Sequence, residues 1–125
     1  MGEFAIKRTP TGVKFDLRAA DGETIATSEV YASTRSCLRG IDSVKRNAPI
    51  ASIEDQTAEE LVRQKSPKFQ VYEDRAGEVR FRLRAANGQI VAVSEGHQAK
   101  ASCLADIDRV REDAPDAEIV RERTR

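Results

Sequence analysis

Apolar and polar residues alternate over two short stretches of the chain, residues 15–19 and 81–85. Each stretch is closely followed by a pair of residues that ends in glycine. The pair is Asp-Gly at positions 21–22 and Asn-Gly at positions 87–88. Alternation with a period of two is typical of strands with one buried face. Asp-Gly or Asn-Gly beside such a run is typical of a two-residue type I′ turn, in which both central residues have positive φ. The pattern therefore predicts two tight β-hairpins.

Pairing across these two turns predicts which side chains share the buried face of the sheet. Each hairpin carries alanines on that face, which let a helix approach closely. The predicted buried face comprises Phe15, Leu17, Ala19, Thr24, Ala26 and Ser28 in the first hairpin, and Phe81, Leu83, Ala85, Ile90, Ala92 and Ser94 in the second.

A helix is predicted after each hairpin, at about residues 33–46 and 99–112, because apolar residues recur there with helical spacing. Ser33 is a suitable N-cap for the first helix, and Pro49 and Pro115 end the two helices. The remaining predicted strands are residues 4–7 and 51–54 in the first half of the chain and residues 69–73 and 117–120 in the second.

The two halves are copies of one β-β-β-α-β unit, since residues 4–54 align with residues 69–120 almost throughout. One unit buries only a thin core, so we expect both to share one core about a pseudo-twofold axis. In the linker, Thr57 and Glu60 form a predicted capping box for a short helix. The prediction is a single α+β domain at 1–125, with repeat one at 3–55, a linker at 56–67 and repeat two at 68–121.

Four segments of the second copy resemble the YegP-like repeat family: Ala-Ala-Asn-Gly-Gln-Ile at 85–90, Ser-Glu-Gly-His at 94–97, Ser-Cys-Leu-x-x-Ile-Asp-x-Val at 102–110, and Ala-Pro at 114–115. The resemblance implies two tandem β-β-β-α-β repeats that form one antiparallel-rich sheet, packed by two helices, with exchanged C-terminal strands. Val30 and His97 depart from the family pattern, where the other copy keeps Gly96 and Tyr31. Members of the family are of uncharacterised function, so the resemblance implies architecture alone.

The charge and cysteine content narrow the classes of function. The 125 residues include 21 basic and 21 acidic side chains, so no net charge attracts nucleic acid or anionic lipid. No apolar run approaches the ~20 residues that span a bilayer, and the N-terminus lacks the pattern of a secretory signal. We expect no membrane association and a cytoplasmic location. Cys37 and Cys103 lack zinc-binding spacing and are predicted to be reduced core thiols, although a disulfide between the two copies stays an alternative.

No catalytic constellation is evident in the sequence. His97 is the single histidine and is predicted to lie at the surface or at the start of the second helix. Ser28-Glu29 and Ser94-Glu95 end equivalent strands, where an acid/base pair is one alternative and satisfying backbone N–H groups is the favoured one. Phosphate loops, dinucleotide fingerprints and zinc patterns are absent from the sequence. We therefore predict no catalytic residue, no metal, no cofactor and no enzymatic activity.

The other face of the predicted sheet carries alternating basic residues. The predicted binding face comprises Tyr72, Arg80, Arg82, Arg84, Lys14, Arg18, Val91 and Val93. A solvated face on which arginine stems cover valines is one alternative. We predict a non-enzymatic interaction module that uses this open face for contact with an unknown protein partner or for self-association. The alternative is binding of nucleic acid or another polyanion through the arginine-bearing strand.

Overall fold

A computed structural model describes residues 2–122 of the chain, which form eight strands and two helices. The elements are β1 (Glu3–Thr9), β2 (Gly12–Arg18), β3 (Thr24–Thr27), α1 (Thr34–Asn47), β4 (Ser52–Asp55), β5 (Lys68–Glu73), β6 (Val79–Arg84), β7 (Ile90–Val93), α2 (Lys100–Asp113) and β8 (Glu118–Arg121). A 3₁₀ turn over Ala48–Ile50 joins α1 to β4. Neither helix within the described range is long and apolar enough to cross a membrane.

All eight strands belong to one sheet, in the order β4-β5-β6-β7-β3-β2-β1-β8. The last strand of each copy crosses to the other copy: β4 lies parallel to β5, and β8 lies parallel to β1. The other neighbours are antiparallel, and the two halves meet where Thr27 of β3 pairs with Val93 of β7. The predicted α+β fold, with one sheet, two helices and exchanged final strands, is confirmed.

Both copies contribute to one core between the helices and the sheet. The rings of Phe4 and Phe15 pack edge to face at 5.4 Å, and the rings of Phe69 and Phe81 pack in the same way at 5.7 Å. Cys37 and Cys103 are buried there and unbridged, as predicted. Burial raises the pKa of both thiols, and for Cys103 burial and nearby carboxylates raise it to about 11. The protonated thiols therefore act as apolar core groups.

Two equivalent basic residues connect each helix to the exchanged strand of the other copy. Lys45 of α1 donates a hydrogen bond to the carbonyl of Ala117, just before β8, at 2.9 Å. Arg111 of α2 donates to the carbonyl of Ala51, just before β4. Their charged groups also lie over core rings, the Lys45 ammonium 5.9 Å from the centre of Phe4 and the Arg111 guanidinium 5.5 Å from the centre of Phe69. These contacts help to hold the two copies together.

Both hairpin turns are one residue longer than the sequence predicted. Ala19 accepts a hydrogen bond from Gly22 N–H and donates one to Glu23, and Gly22 has a φ of 89°. The geometry is a type I turn followed by a glycine bulge, and the predicted type I′ turn with positive φ at Asp21 is wrong. The Asp21 carboxylate stabilises the longer turn because it accepts a hydrogen bond from Glu23 N–H. The second hairpin repeats this arrangement around Gly88.

A bulge in β3 changes the predicted faces of the first hairpin. Leu17 pairs with Ala26 as expected, but Arg18 pairs with Thr24, so Ile25 is the extra residue of the bulge. Ile25 is buried in the core at 1% exposure. The prediction that Thr24 faces the core is therefore wrong.

The same bulge in β7 corrects two positions of the second hairpin. Arg84 pairs with Ile90, which leaves Val91 as the extra residue. Val91 is buried in the helix-side core, and Ile90 lies beside Arg84 and is 37% exposed. The prediction that places Val91 on the face of the arginines is wrong because the bulge turns its side chain to the other face. The prediction that Ile90 shares the face of Phe81 is wrong for the same reason.

The linker between Asp55 and Lys68 forms neither a helix nor a strand, so the predicted capped helix is wrong. The Thr57 hydroxyl, expected to cap that helix, donates instead to the Asp55 carboxylate at 2.6 Å. The Thr57 backbone N–H donates to the same oxygen at 2.9 Å. Both bonds turn the chain back toward the end of β4, a local alternative that competes with helix formation.

The N-cap residue, which precedes the first residue of each helix, differs between the two copies, and this predicts a difference in stability. Ser33 accepts a hydrogen bond from Ser36 N–H at 3.1 Å, as predicted, whereas Ala99 at the equivalent position of α2 offers no side-chain acceptor. Ala99→Ser is expected to raise the free energy of unfolding by about 1 kcal/mol, and Ser33→Ala to lower it by about the same amount. Urea denaturation measures both, and a loss of stability in Ala99→Ser would contradict the expectation.

Candidate binding face

The face of the sheet that the helices leave uncovered, called the open face below, brings four of the predicted site residues together. On β5 and β6, Tyr72 pairs with Arg80, Gln70 with Arg82, and Lys68 with Arg84. Because partners in a register point to the same side of a sheet, these six side chains share the open face. Tyr72, Arg80, Arg82 and Arg84 are called the arginine cluster below.

A buried glutamine orients two of the arginines. The Gln70 side-chain oxygen accepts a hydrogen bond from Nε of Arg82 and another from Nε of Arg84, both at 2.7 Å. Its amide nitrogen donates to the Glu54 carboxylate at 2.7 Å, which fixes which end of the amide faces the arginines. The guanidinium of Arg82 also lies 4.5 Å from the centre of the Tyr72 ring. The arginine cluster is thus ordered before any partner binds.

Two members of the arginine cluster have no acidic partner among the residues that the structure describes. Arg80 is paired with Asp74 at 2.7 Å. Within residues 2–122, neither Arg82 nor Arg84 lies within ion-pair distance of a carboxylate, although Arg84 donates to the carbonyl of Gly88. In the same range, the terminal guanidinium nitrogens of Arg82 form no hydrogen bond. This part of the open face therefore carries uncompensated positive charge with free donors.

The first copy presents an electrically balanced surface at the equivalent place. Asp16 occupies the position that Arg82 has in the second copy, and it is paired with Lys7 at 2.6 Å and Lys14 at 3.6 Å. Arg18 is paired with Glu3 at 3.1 Å and with Glu122, which also lies 3.7 Å from Lys7. Burial opposes the ionisation of Asp16, but hydrogen bonds from Lys7 and from a threonine, with the charge of Lys14, keep its pKa below the ordinary value. Lys14 and Arg18 lie on the predicted face, but their charges are compensated.

The two predicted valines fall on opposite sides of the sheet. Val93 is half-buried and pairs with Arg82 and with Thr27 at the centre of the open face. Val91 lies in the core, as described above, and Ile90 takes its place next to Arg84. The apolar part of the open face beside the arginine cluster is therefore Val93 and Ile90.

A buried carboxylate fixes the linker at the margin of the open face. Glu54 is 1% exposed and accepts hydrogen bonds from Lys68 Nζ and from the backbone N–H of Gln64, both at 2.9 Å. Burial raises the pKa of this carboxyl, but the hydrogen bonds from Lys68, Gln64, Gln70 and Gln56 outweigh burial and lower the pKa to about 2. Glu54 therefore connects the linker to Gln70 and, through Gln70, to the arginine cluster.

A second polar cluster, which the sequence did not predict, lies at the start of α2. His97 Nδ1 lies 3.0 Å from the Ser102 hydroxyl, and Nε2 lies 3.3 Å from the Asp106 carboxylate, which Arg109 also contacts at 3.0 Å. The His97 side chain is 15% exposed and lies just before α2, in agreement with the expectation of a histidine at the surface or at the start of the second helix. Among the residues that the structure describes, no group of three or more metal-binding side chains occurs.

The cluster could have been predicted from the positions at which the sequences of the two copies differ. In the first copy, the equivalents of His97 and Asp106 are Tyr31 and Gly40. A Cβ atom on Gly40 would lie 2.2 Å from the Tyr31 hydroxyl oxygen, so the tyrosine fits only because the helix carries glycine there. The second copy exchanges both members of the pair, since the shorter histidine leaves room for the aspartate.

The two serines that end the third strands have a structural role, as the sequence favoured. Ser28 Oγ accepts a hydrogen bond from the backbone N–H of Phe15, and Ser94 Oγ accepts one from Phe81, both at 2.9 Å. Each serine satisfies a buried N–H group beside a bulged strand. The adjacent Glu29 and Glu95 are exposed.

The repeated unit matches a known family at two places. Residues 12–55 and 74–120 each match the profile of a domain of unknown function, DUF1508. The chain belongs to this family. Among other DUF1508 relatives, a UPF0339 protein of Treponema denticola is 49% identical over 53 residues, which cover 42% of this chain and 91% of that protein. That relative therefore matches about one copy of the unit.

Other members of the DUF1508 family match both copies. A UPF0339 protein of Stutzerimonas stutzeri, from the 5′ region of the ptx operon, is 34% identical over 120 residues, with 95% of each chain covered. The solution structure of yegP from E. coli, described as a protein of unknown function, superposes with a TM-score of 0.78 at 28% identity. It covers 97% of this chain and 92% of that one. The family carries no catalytic description, and its function is uncharacterised.

Proposed function

We propose that this protein is a non-enzymatic binding module of the cytoplasm that binds an acidic segment of a protein partner on its open face. The observation that supports the proposal is the pair Arg82 and Arg84, which lack carboxylate partners within residues 2–122 and are oriented by Gln70. Planar guanidinium groups with free N–H donors suit carboxylates, which accept two parallel hydrogen bonds. Val93 and Ile90 supply a small apolar surface beside them.

Binding of nucleic acid or another polyanion is the alternative for the same face. Stacking of bases on aromatic rings is the usual way in which strands bind single-stranded nucleic acid. Here the Arg82 guanidinium already lies over the Tyr72 ring, at 4.5 Å from its centre, so it occupies the ring face on which a base would stack. The net charge of zero also provides no long-range attraction. Both features favour a protein partner, and self-association through this face is a further form of the proposal.

Anisotropy titrations with a labelled glutamate-rich peptide and with labelled oligo-dT and oligo-U test the proposal. We expect the peptide to bind with a Kd that rises with added salt. Arg82→Gln with Arg84→Gln is expected to raise this Kd at least about tenfold, because each substitution removes hydrogen bonds to a charged group. Lys14→Gln is the matched control, since it removes a cation from the same face that is already paired with Asp16.

The outcomes separate the alternatives. Tighter binding of oligonucleotides than of the peptide, lost in the double arginine variant, would favour the polyanion alternative. Sedimentation equilibrium of the wild type and the double variant detects self-association. A monomer that binds none of the probes, or equal losses for Lys14→Gln and the arginine variant, would overturn the proposal.

A further inference from the structure

A cleft of about 250 Å³ lies on the helix side of the sheet, between α1 and the turn of the second hairpin. The cleft lies away from the arginine cluster but shares Ile90 with the edge of the open face, and its function is separate from the one proposed for that face. Its polar lining includes Tyr31, Ser36, Arg39, Ser43, Asn87 and Gln89. Ala85 and Val91 form an apolar floor.

The cleft is open because the residues of α1 that face the second hairpin are small. Gly40 and Ser43 occupy the positions that Asp106 and Arg109 have in α2. In the second copy, the Arg109 guanidinium bridges α2 to the first hairpin through Asp21 at 2.7 Å. Within residues 2–122, Ser43 forms no such bridge, and its hydroxyl accepts a hydrogen bond from Asn47 of the same helix. Asn47, at the end of α1, accepts a hydrogen bond from Ala86 N–H of the second hairpin at 3.3 Å, so the ion pair that Arg109 makes is the contact that this copy lacks.

The donors that line the cleft include groups without partners. Within residues 2–122, Arg39 forms neither an ion pair nor a hydrogen bond, and the Tyr31 hydroxyl has no hydrogen-bond partner. Burial and the nearby charge of Glu29 raise the pKa of Tyr31, so the phenol stays protonated and able to donate. Arg46 adds a second guanidinium, which is shared with Asp42 at 2.9 Å.

We infer that this cleft is a binding site for a small organic anion, whose carboxylate or phosphate is bound by Arg39 and by the hydroxyl of Tyr31. The volume is below the ~300–1,000 Å³ of pockets that enclose drug-sized ligands, so the fit is to a metabolite-sized molecule. The apolar floor contacts the carbon skeleton of the ligand, and Asn87 and Gln89 offer amide groups at the rim.

Chemical-shift titrations of the ¹⁵N-labelled protein at constant ionic strength test this site. The probes are inorganic phosphate, glycerol 3-phosphate and succinate, which separate phosphate from carboxylate recognition. We expect saturable shifts at the amides of Ser36, Gly40, Ser43 and Asn87 for at least one probe, with a Kd in the range of ~1–10 mM. Inorganic phosphate tests how much of the binding comes from the anionic group alone.

Three variants test whether binding depends on the residues of the cleft. Arg39→Gln is expected to raise the Kd about tenfold, as removal of a hydrogen bond to a charged group does. Ser43→Met fills the cleft without adding charge and is expected to abolish binding. Arg75→Gln, in the exposed turn at the opposite end of β6, is the control and should leave the Kd unchanged.

Three outcomes would overturn the inference. The first is shifts that do not saturate. The second is shifts confined to Arg82 and Arg84 on the open face, which would leave the proposed function standing without the cleft. The third is an unchanged Kd in Arg39→Gln, an exposed substitution that decides the question even if Ser43→Met fails to fold.

Discussion

Lys68→Met is expected to lower the free energy of unfolding by about 3 kcal/mol at pH 7, because it leaves the buried Glu54 carboxylate without its cation. Lys68 Nζ lies 2.9 Å from the Glu54 carboxylate, which is 1% exposed. The backbone N–H of Gln64 and the amide of Gln70 remain as donors, but they do not neutralise the charge. Urea denaturation followed by circular dichroism measures the loss. Lys65→Met removes an exposed linker lysine and should cost less than about 0.5 kcal/mol; similar losses for the two variants would contradict the expectation.

The same carboxylate makes stability depend on pH in a defined direction. The pKa of Glu54 is about 2 in the fold, against an ordinary value of 4.5. Because the pKa is lowered on folding, the stabilisation is complete above about pH 4.5 and is lost as the pH falls towards 2. At 1.36 kcal/mol per pKa unit the contribution is at most about 3 kcal/mol, and screening by solvent at the margin of the sheet lowers this figure.

Glu54→Gln provides the second test of this network. It should remove the part of the acid dependence that lies between pH 4.5 and 2, whereas Glu60→Gln, in the exposed part of the linker, should retain it. Parallel stability profiles for wild type and Glu54→Gln in that range would show that the carboxylate is not the titrating group. Since Glu54 also holds Gln70, the variant is expected to disturb the orientation of Arg82 and Arg84.

Gly40→Asp is expected to destabilise the protein by about 2 kcal/mol, within the ~1–3 kcal/mol typical of overpacking. The new Cβ atom would lie 2.2 Å from the hydroxyl oxygen and 2.7 Å from the ring carbon that carries it in Tyr31. The ring cannot shift inward, because it stacks on Phe15 at 6.4 Å between centres. Relief of the clash therefore moves Tyr31 towards solvent and loses part of its packing.

Tyr31→His in the Gly40→Asp background should recover much of this loss, because it recreates the pair that the second copy already has at His97 and Asp106. The double-mutant cycle is expected to give a coupling free energy of about 1–2 kcal/mol. Leu38→Asp, which adds the same side chain and the same change of charge at an exposed position of α1, is the control. Simple addition of the two single losses would show that the tyrosine and glycine are not a matched pair.

The strands, the helices and the duplication were predictable from the sequence because their signals are local. The period of two around Phe15 and Phe81, the helical spacing around Cys37 and Cys103, and the Ser33 cap each depend on residues close together in the chain. The exchange of β4 and β8 came from the family resemblance, since short strands of this kind carry no information about their neighbours.

The turn type and the bulges were decided by competition between local and tertiary contacts. Asp-Gly fits both a two-residue turn and the longer turn that ends at Gly22. A bulge at Ile25, and another at Val91, restores the register and places these side chains in the core. A shift of one residue reverses the face on which a side chain lies, which is why simple alternation places Val91 on the wrong side.

Alternation along paired strands is enough to predict that Tyr72, Arg80, Arg82 and Arg84 share one face. Which of the charges on that face are compensated depends on contacts between strands that are far apart in the chain. Asp16 meets Lys7 on the neighbouring strand, whereas the equivalent Arg82 meets Gln70, whose orientation depends on a carboxylate contributed by the exchanged strand β4. Such pairings join residues that are distant in the chain and follow from strand order and register, which local periodicity does not encode.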